Sequence, residues 1–216
     1  MKLLLYCTKA KPYLVQGLAK PMHTLDANNP YNFNWKLVDK GFSNDRLNGK
    51  IVAECDFEVE EIQNKLTNNN SHLELFTNNL IEKELFEKSC LNRYEMFSYL
   101  KNNFTKKDEI KGYAIYLKNL HIFDKPRDIR DYYTNRIYTK IEDVYTDEIQ
   151  IKGSEWVRPI KQAPQNMMYA YDVKSFNNFE KKVLISIRPE WLCKILNGEK
   201  KIEVRKKVLK EMLDNE

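Results

Sequence analysis

Residues 183–207 read VLISIRPEWLCKILNGEKKIEVRKK. Val183–Ile187 is an apolar stretch of strand length, and Arg188-Pro189 leads from it into a short helix. Asn197-Gly198 stops that helix, because glycine accepts the left-handed conformation that closes one. A charged second strand follows in KKIEVRKK. A compact β-α-β unit, with the character of a domain opening, is thus predicted near the end of the 216 residues.

Working outward, Leu3–Cys7 has the length and composition of a buried strand. Residues 8–47 carry Pro, Asn and Gly with Tyr13, Tyr31, Phe33, Trp35 and Phe42, and read as a long irregular segment. Asn48-Gly49 marks a turn, and Lys50–Val59 alternates as a half-buried strand does. Asn64–Ser71 is a polar loop. Residues 73–88 and 89–104 have helical spacing. Gly112–Phe123 is the most strand-like stretch, and Asp124-Lys125-Pro126 is expected to stop it. Residues 127–162 are charged and aromatic without a clear period. Met167–Val173 is a further strand, and Lys174–Lys182 reads as a polar linker. Strands dominate and are too scattered for a βαβ array, so the predicted fold class is α+β: a small, curved β-barrel decorated by helices.

Composition sets the outer limits. The chain is 42% apolar and 31% charged, the balance of a soluble globular protein. No apolar run approaches the ~20 residues that span a bilayer, so no membrane association is expected. The first apolar run is too short for a signal peptide, and the expected compartment is cytoplasmic. A net charge of +5 permits a polyanionic partner, provided the basic residues cluster. Cys7, Cys55, Cys90 and Cys193 form no paired motif and read as reduced, buried thiols. His23, His72 and His121 stand far apart, no Gly-rich phosphate loop is evident, and neither a metal nor a cofactor is predicted.

The stretch from Leu184, LISIRPEW, with KILNGEKKIEVRK after it, resembles the opening of an ASCH domain, a branch of the PUA-like superfamily. Those domains open with a strand, a short helix and a Gly-x-Lys-x-x-Glu-x-Arg stretch, matched here by Gly198, Lys200, Glu203 and Arg205. The family's later elements are matched earlier in this chain, by Leu3–Leu14, Asn48–Phe57, Cys90–Leu100, Gly112–Ile129 and Gln162–Tyr171. The chain departs from the family's pattern at Ala53, at Ile115 and Tyr116, and at Met167. The resemblance therefore implies one circularly permuted domain over residues 1–216: later strands in 1–173, a joining linker in 174–182 and the relocated opening unit in 183–207. The competing arrangement is a segment-swapped dimer, in which the last segment completes a second copy.

The resemblance implies RNA, a nucleotide or a modified base as the ligand. Gly198 lets backbone approach a ligand closely, and Lys200 and Arg205 offer donors to a phosphate or base carbonyl. Strand alternation puts residues 201, 203 and 205 on one face, so Glu203 and Arg205 project together. They read either as a ligand-facing pair or as a salt bridge closing the end of the barrel. Lys201, Lys206 and Lys207 read as solvated charges. A second candidate cluster is Tyr6, Thr8, Lys9 and Lys11, where a strand runs into a loop. Ser186 and Arg188 precede the helix, and Arg188 either reaches the site or caps the Pro189 turn. Trp191, Tyr113, Tyr116 and Phe123 read as core, whereas Trp35 in the long loop is placed to stack on a base.

Two main function classes follow. One is a module that binds RNA or a nucleotide in a barrel-end pocket. The other is an enzyme, since some short ASCH proteins resemble amidohydrolases that deacylate N4-acylated cytidine with a Lys, a Thr and a Glu. The Lys of that pattern falls on Lys200, but the Thr position is occupied by Glu203, which removes the hydroxyl nucleophile. Glu203 remains a candidate general base for a water. A protein-interaction adaptor is the third reading.

Overall fold

Leu3, Leu4, Leu5, Tyr6 and Cys7 are all buried, as a strand covered on both faces requires of a continuous apolar run. In the computed structural model, which describes residues 1–8, 49–66, 73–101, 110–135, 147–152, 155–175 and 177–214, this run is the first element. The strands are β1 (Lys2–Cys7), β2 (Lys50–Leu66), β3 (Leu73–Phe76), β4 (Gly112–Asp128), β5 (Tyr133–Asn135), β6 (Ile149–Ile151), β7 (Glu155–Pro159), β8 (Met167–Ser175), β9 (Asn178–Ile187) and β10 (Ile202–Arg205). The helices are α1 (Glu82–Ser89), α2 (Arg93–Leu100) and α3 (Pro189–Leu196). The protein is a mixed, sheet-rich α+β fold.

Two compact units share the chain: Met1–Cys55 with Leu120–Cys193, and Asp56–Asn119 with Lys194–Glu216. The long strands β2 and β4 each give one half to each unit. In the first unit the strand order is β4-β2-β1-β9-β8-β5-β7-β6. Here β1 and β9 run parallel, Leu3 opposite Val183 through Cys7 opposite Ile187. Leu4, Tyr6, Ile51, Phe123, Ile129, Tyr132, Ile160, Ala170 and Leu184 form an apolar cluster in it. In the second unit, β10 lies antiparallel on β4 and β3 on β2. Leu75, Leu85, Met96, Leu100, Ala114, Ile202 and Val204 lie in that unit's core.

Several expectations change. Among the described residues the strand path is open, with no pairing that closes it into a barrel. The expected linker 174–182 is instead a hairpin, β8 pairing β9 from Met167 opposite Ile185 to Ser175 opposite Asn178. Its polar composition hid an alternation in which Phe179 and Lys181 are half-buried and Lys182 is buried. Pro126 does not stop β4, since β4 is the edge strand of the first unit, the kind of strand in which a sheet tolerates proline. Residues 73–76, expected to be helical, are β3, and Thr77 makes the break: its Oγ1 accepts the N–H groups of Asn79 and Leu80. The second helix starts at Arg93 and not at Ser89, because Cys90 is left-handed (φ 55°) and Asn92 with Glu95 forms a capping box. Residues 64–66, expected in a loop, extend β2, and the stretch 127–162 contains β5, β6 and β7. Residues 12–47, with Trp35, lie outside the described residues, as do His23 and His72.

The outward edge of β3 is closed by side chains. Glu82 accepts the Leu75 N–H at 3.1 Å, and Arg93 donates to the Leu73 carbonyl while pairing with Glu82. These groups occupy the backbone positions on which another strand would add.

Gly112 marks a tight approach. A Cβ there would stand 2.4 Å from Leu100 Cδ2 and 3.3 Å from the Arg205 carbonyl oxygen. Leu100 is fully buried and has little room to yield. Gly112→Ala is expected to lower stability by about 1–3 kcal/mol, the usual range for overpacking, measured as a lower urea midpoint at unchanged slope.

Candidate functional site

β10 inherits its position from the turn before it. Gly198 has φ +77°, and the Glu199 and Lys200 N–H groups both donate to the Lys194 carbonyl, closing α3. The Lys201 N–H then donates to Lys88 O at 2.8 Å, and its carbonyl accepts from Leu117 at 2.9 Å. Ile202 and Val204 stand opposite Tyr116 and Ala114, and Glu203 and Arg205 opposite Ile115 and Tyr113.

Lys200, Glu203 and Arg205 are brought together. Arg205 Nε lies 2.9 Å from Glu203 Oε1, as strand alternation predicted. Lys200 Nζ lies 3.5 Å from Glu203 Oε2, although alternation assigned Lys200 to the other face. The reason is that Lys200 precedes the strand, so its long side chain is not bound by strand alternation. It also donates to the Ser89 carbonyl at 2.6 Å. Burial pushes the Lys200 pKa below its usual value, with the Glu203 charge working the other way. The side chains of Lys200 and Glu203 are only 2% and 9% exposed, so this is an interior network. Both Glu203 oxygens face cations, an arrangement that suits structure better than taking a proton from water. Lys201, Lys206 and Lys207 are exposed, as expected.

The other candidates belong to the first unit. The Thr8 N–H donates to the Ile187 carbonyl at 2.9 Å, which places Thr8 beside Arg188 at one end of the β1/β9 pair. The Arg188 side chain is exposed, while its carbonyl accepts the N–H groups of Trp191 and Leu192 at the start of α3. Ser186 Oγ donates to the Pro164 carbonyl at 2.7 Å, and Tyr6 is buried. Lys9 and Lys11 lie outside the described residues. Cys7 is an interior thiol whose pKa burial pushes up to about 12, with Cys193 and Glu190 adding to the shift. Phe123 is buried as expected, but Trp191, Tyr113 and Tyr116 are only partly so.

Two polar groupings escaped the sequence. Lys182 is buried in the first unit against Glu54 at 2.9 Å, Glu180 at 3.1 Å and Asp172 at 3.8 Å. In the second unit the Tyr116 hydroxyl donates to Glu60 at 2.7 Å and shares a 2.7 Å hydrogen bond with Thr77. Burial raises the Tyr116 pKa, and Glu60 adds to the rise. The only sequence trace of the second is Tyr116 itself, at a position where the chain departs from the ASCH pattern. Among the described residues no cluster of three His, Cys, Asp or Glu side chains is placed to hold a metal ion, and no helix is long and apolar enough to cross a membrane. Comparison with family models, with curated proteins and with solved structures returns no match.

Proposed function

We propose that the chain binds RNA or a nucleotide and is a circularly permuted, PUA-like ASCH domain. The permutation is supported by the parallel pairing of β1 with β9, which makes the relocated first strand a sheet neighbour of Leu3–Cys7, the strand that resembles the one after the family's opening unit. The observation that carries the binding reading is the state of β10. Its one acid, Glu203, is neutralised by Lys200 and Arg205 inside the fold, while Lys201, Lys206 and Lys207 remain in solvent around it. That leaves a local excess of cations, which phosphate recognition requires. No comparable observation favours deacylation of N4-acylated cytidine, because the residue at the nucleophile position is a paired, buried carboxylate.

Fluorescence anisotropy with labelled RNA tests this. Affinity is expected to fall steeply between about 50 and 200 mM salt, with a slope near 0.7 per phosphate contacted on a single strand. A protein without salt-dependent affinity for any RNA or nucleotide would end the proposal.

A further inference from the structure

If the chain binds nucleic acid, the buried Lys200–Glu203–Arg205 network is a poor place for the ligand: Lys200 is 2% exposed and holds Ser89 and Glu203. Resting on that binding reading, we infer that the contact surface is the corner where the end of α2, the start of β4 and the end of β10 meet. There single-stranded nucleic acid stacks a base on Tyr99 and sets its phosphates against Lys206 and Lys207.

Three observations define the corner. At Gly112 the Cα of β4 packs so tightly on Leu100 and on the Arg205 carbonyl that a side chain would not fit, so the three segments touch at one point. Lys101 and Ile110 form an antiparallel bridge, which brings the end of α2 beside the start of β4. Tyr113, the second residue of β4, stands opposite Arg205. Lys101, Lys111, Lys206 and Lys207 therefore fan out from one place, drawn from three separate chain segments, and all four are exposed. The Arg205 charge is spent on Glu203.

The corner also carries an aromatic platform. Tyr99 is 41% exposed, and Lys206 Nζ lies 5.6 Å from the centre of its ring. A cation beside an accessible ring is the combination that single-stranded nucleic acid uses, because every base has a π-face and every linkage a charge. Duplex recognition fits less well, since it hides the base faces that Tyr99 would stack on.

The test titrates the full chain against a fluorescein-labelled oligouridine of about 12 nucleotides, within the span such surfaces cover. Tyr99→Leu is expected to weaken binding roughly tenfold, and Tyr99→Phe, which keeps the ring, to leave it near wild type. Lys206→Glu with Lys207→Glu is expected to weaken binding and lower the salt slope by about one unit or more. Lys83→Glu, an exposed reversal on α1, which is not one of the three elements that form the corner, serves as control and is expected to bind like wild type. Wild-type binding that is unaffected by the Tyr99 and Lys206/Lys207 changes, or reduced equally by Lys83→Glu, overturns the assigned surface but not the binding reading. Absence of wild-type binding overturns both.

Discussion

Glu203→Ala is expected to lower folding stability by about 3–5 kcal/mol, read as a large drop in urea midpoint. The carboxylate is the shared partner of Lys200 at 3.5 Å and Arg205 at 2.9 Å, in a site where Lys200 and Glu203 are almost fully buried. Removing it strands an ammonium in the interior, and that desolvated charge, more than the lost attraction, sets the cost. Glu203→Gln keeps the shape and loses the charge, so a smaller loss is expected, with no hydrolysis of N4-acylated cytidine by either form. Turnover by wild type, abolished in a Gln variant with an unchanged midpoint, would instead make Glu203 a catalytic base. A pH series adds a second readout. Burial holds the folded-state pKa of Lys200 below its ordinary 10.5, so between the two values the unfolded chain carries a proton that the folded chain has shed. Stability therefore rises with pH across that window. In Glu203→Gln the opposing charge is gone, and the rise is expected to begin at lower pH.

Lys182→Met is expected to be the second costly change, at about 3 kcal/mol, since it leaves Glu54 (side chain 16% exposed) without its closest cation. Glu180 is more than half exposed and adds little. At Lys182 the pH sign is opposite to that at Lys200. For Lys182, burial acts to lower the pKa, but Glu54 and Glu180 outweigh it and the net shift is upward. Its contribution is present below 10.5 and lost as pH rises through the higher folded value. For Glu54, burial acts upward, but the hydrogen bond and charge of Lys182, with Lys2 and Arg127, bring it net below 4.5. That contribution is present above 4.5 and lost as pH falls through the lower folded value. Melting temperatures across pH are thus expected to show an acid limb that Lys182→Met flattens. An unchanged acid limb in that variant would show that the pair contributes nothing.

The elements written in local sequence are those whose cause is local. Leu3–Cys7 is apolar without a break and Val183–Ile187 is apolar but for Ser186, so each has the local character of a buried strand. Gly198 closes α3 because a left-handed residue is needed there, and the Glu203–Arg205 contact follows from residues two apart sharing a strand face. All of this was legible from residues 3–7 and 183–207. Lys182 is the opposite case. Its polar neighbours, Glu180 and Lys181, suggest a linker, and it is buried because β9 pairs with β8 on one side and β1 on the other. Its main partner, Glu54, is 128 residues away in sequence, and no local period encodes a contact of that range. Pro126 and Leu73–Phe76 misled for a related reason: whether a proline is tolerated depends on whether its strand is an edge, and β3 exists because β2 runs on far enough to pair with it. The meeting of α2, β4 and β10 at Gly112 is likewise tertiary, since the exposed lysines of the three elements become one surface only where a missing side chain lets β4 close on the Leu100 side chain and the Arg205 carbonyl. Charge type and strand character were thus set residue by residue, while burial, pairing and the clustering of charge were decided by strand register, which depends on the whole sheet and on no single stretch of it.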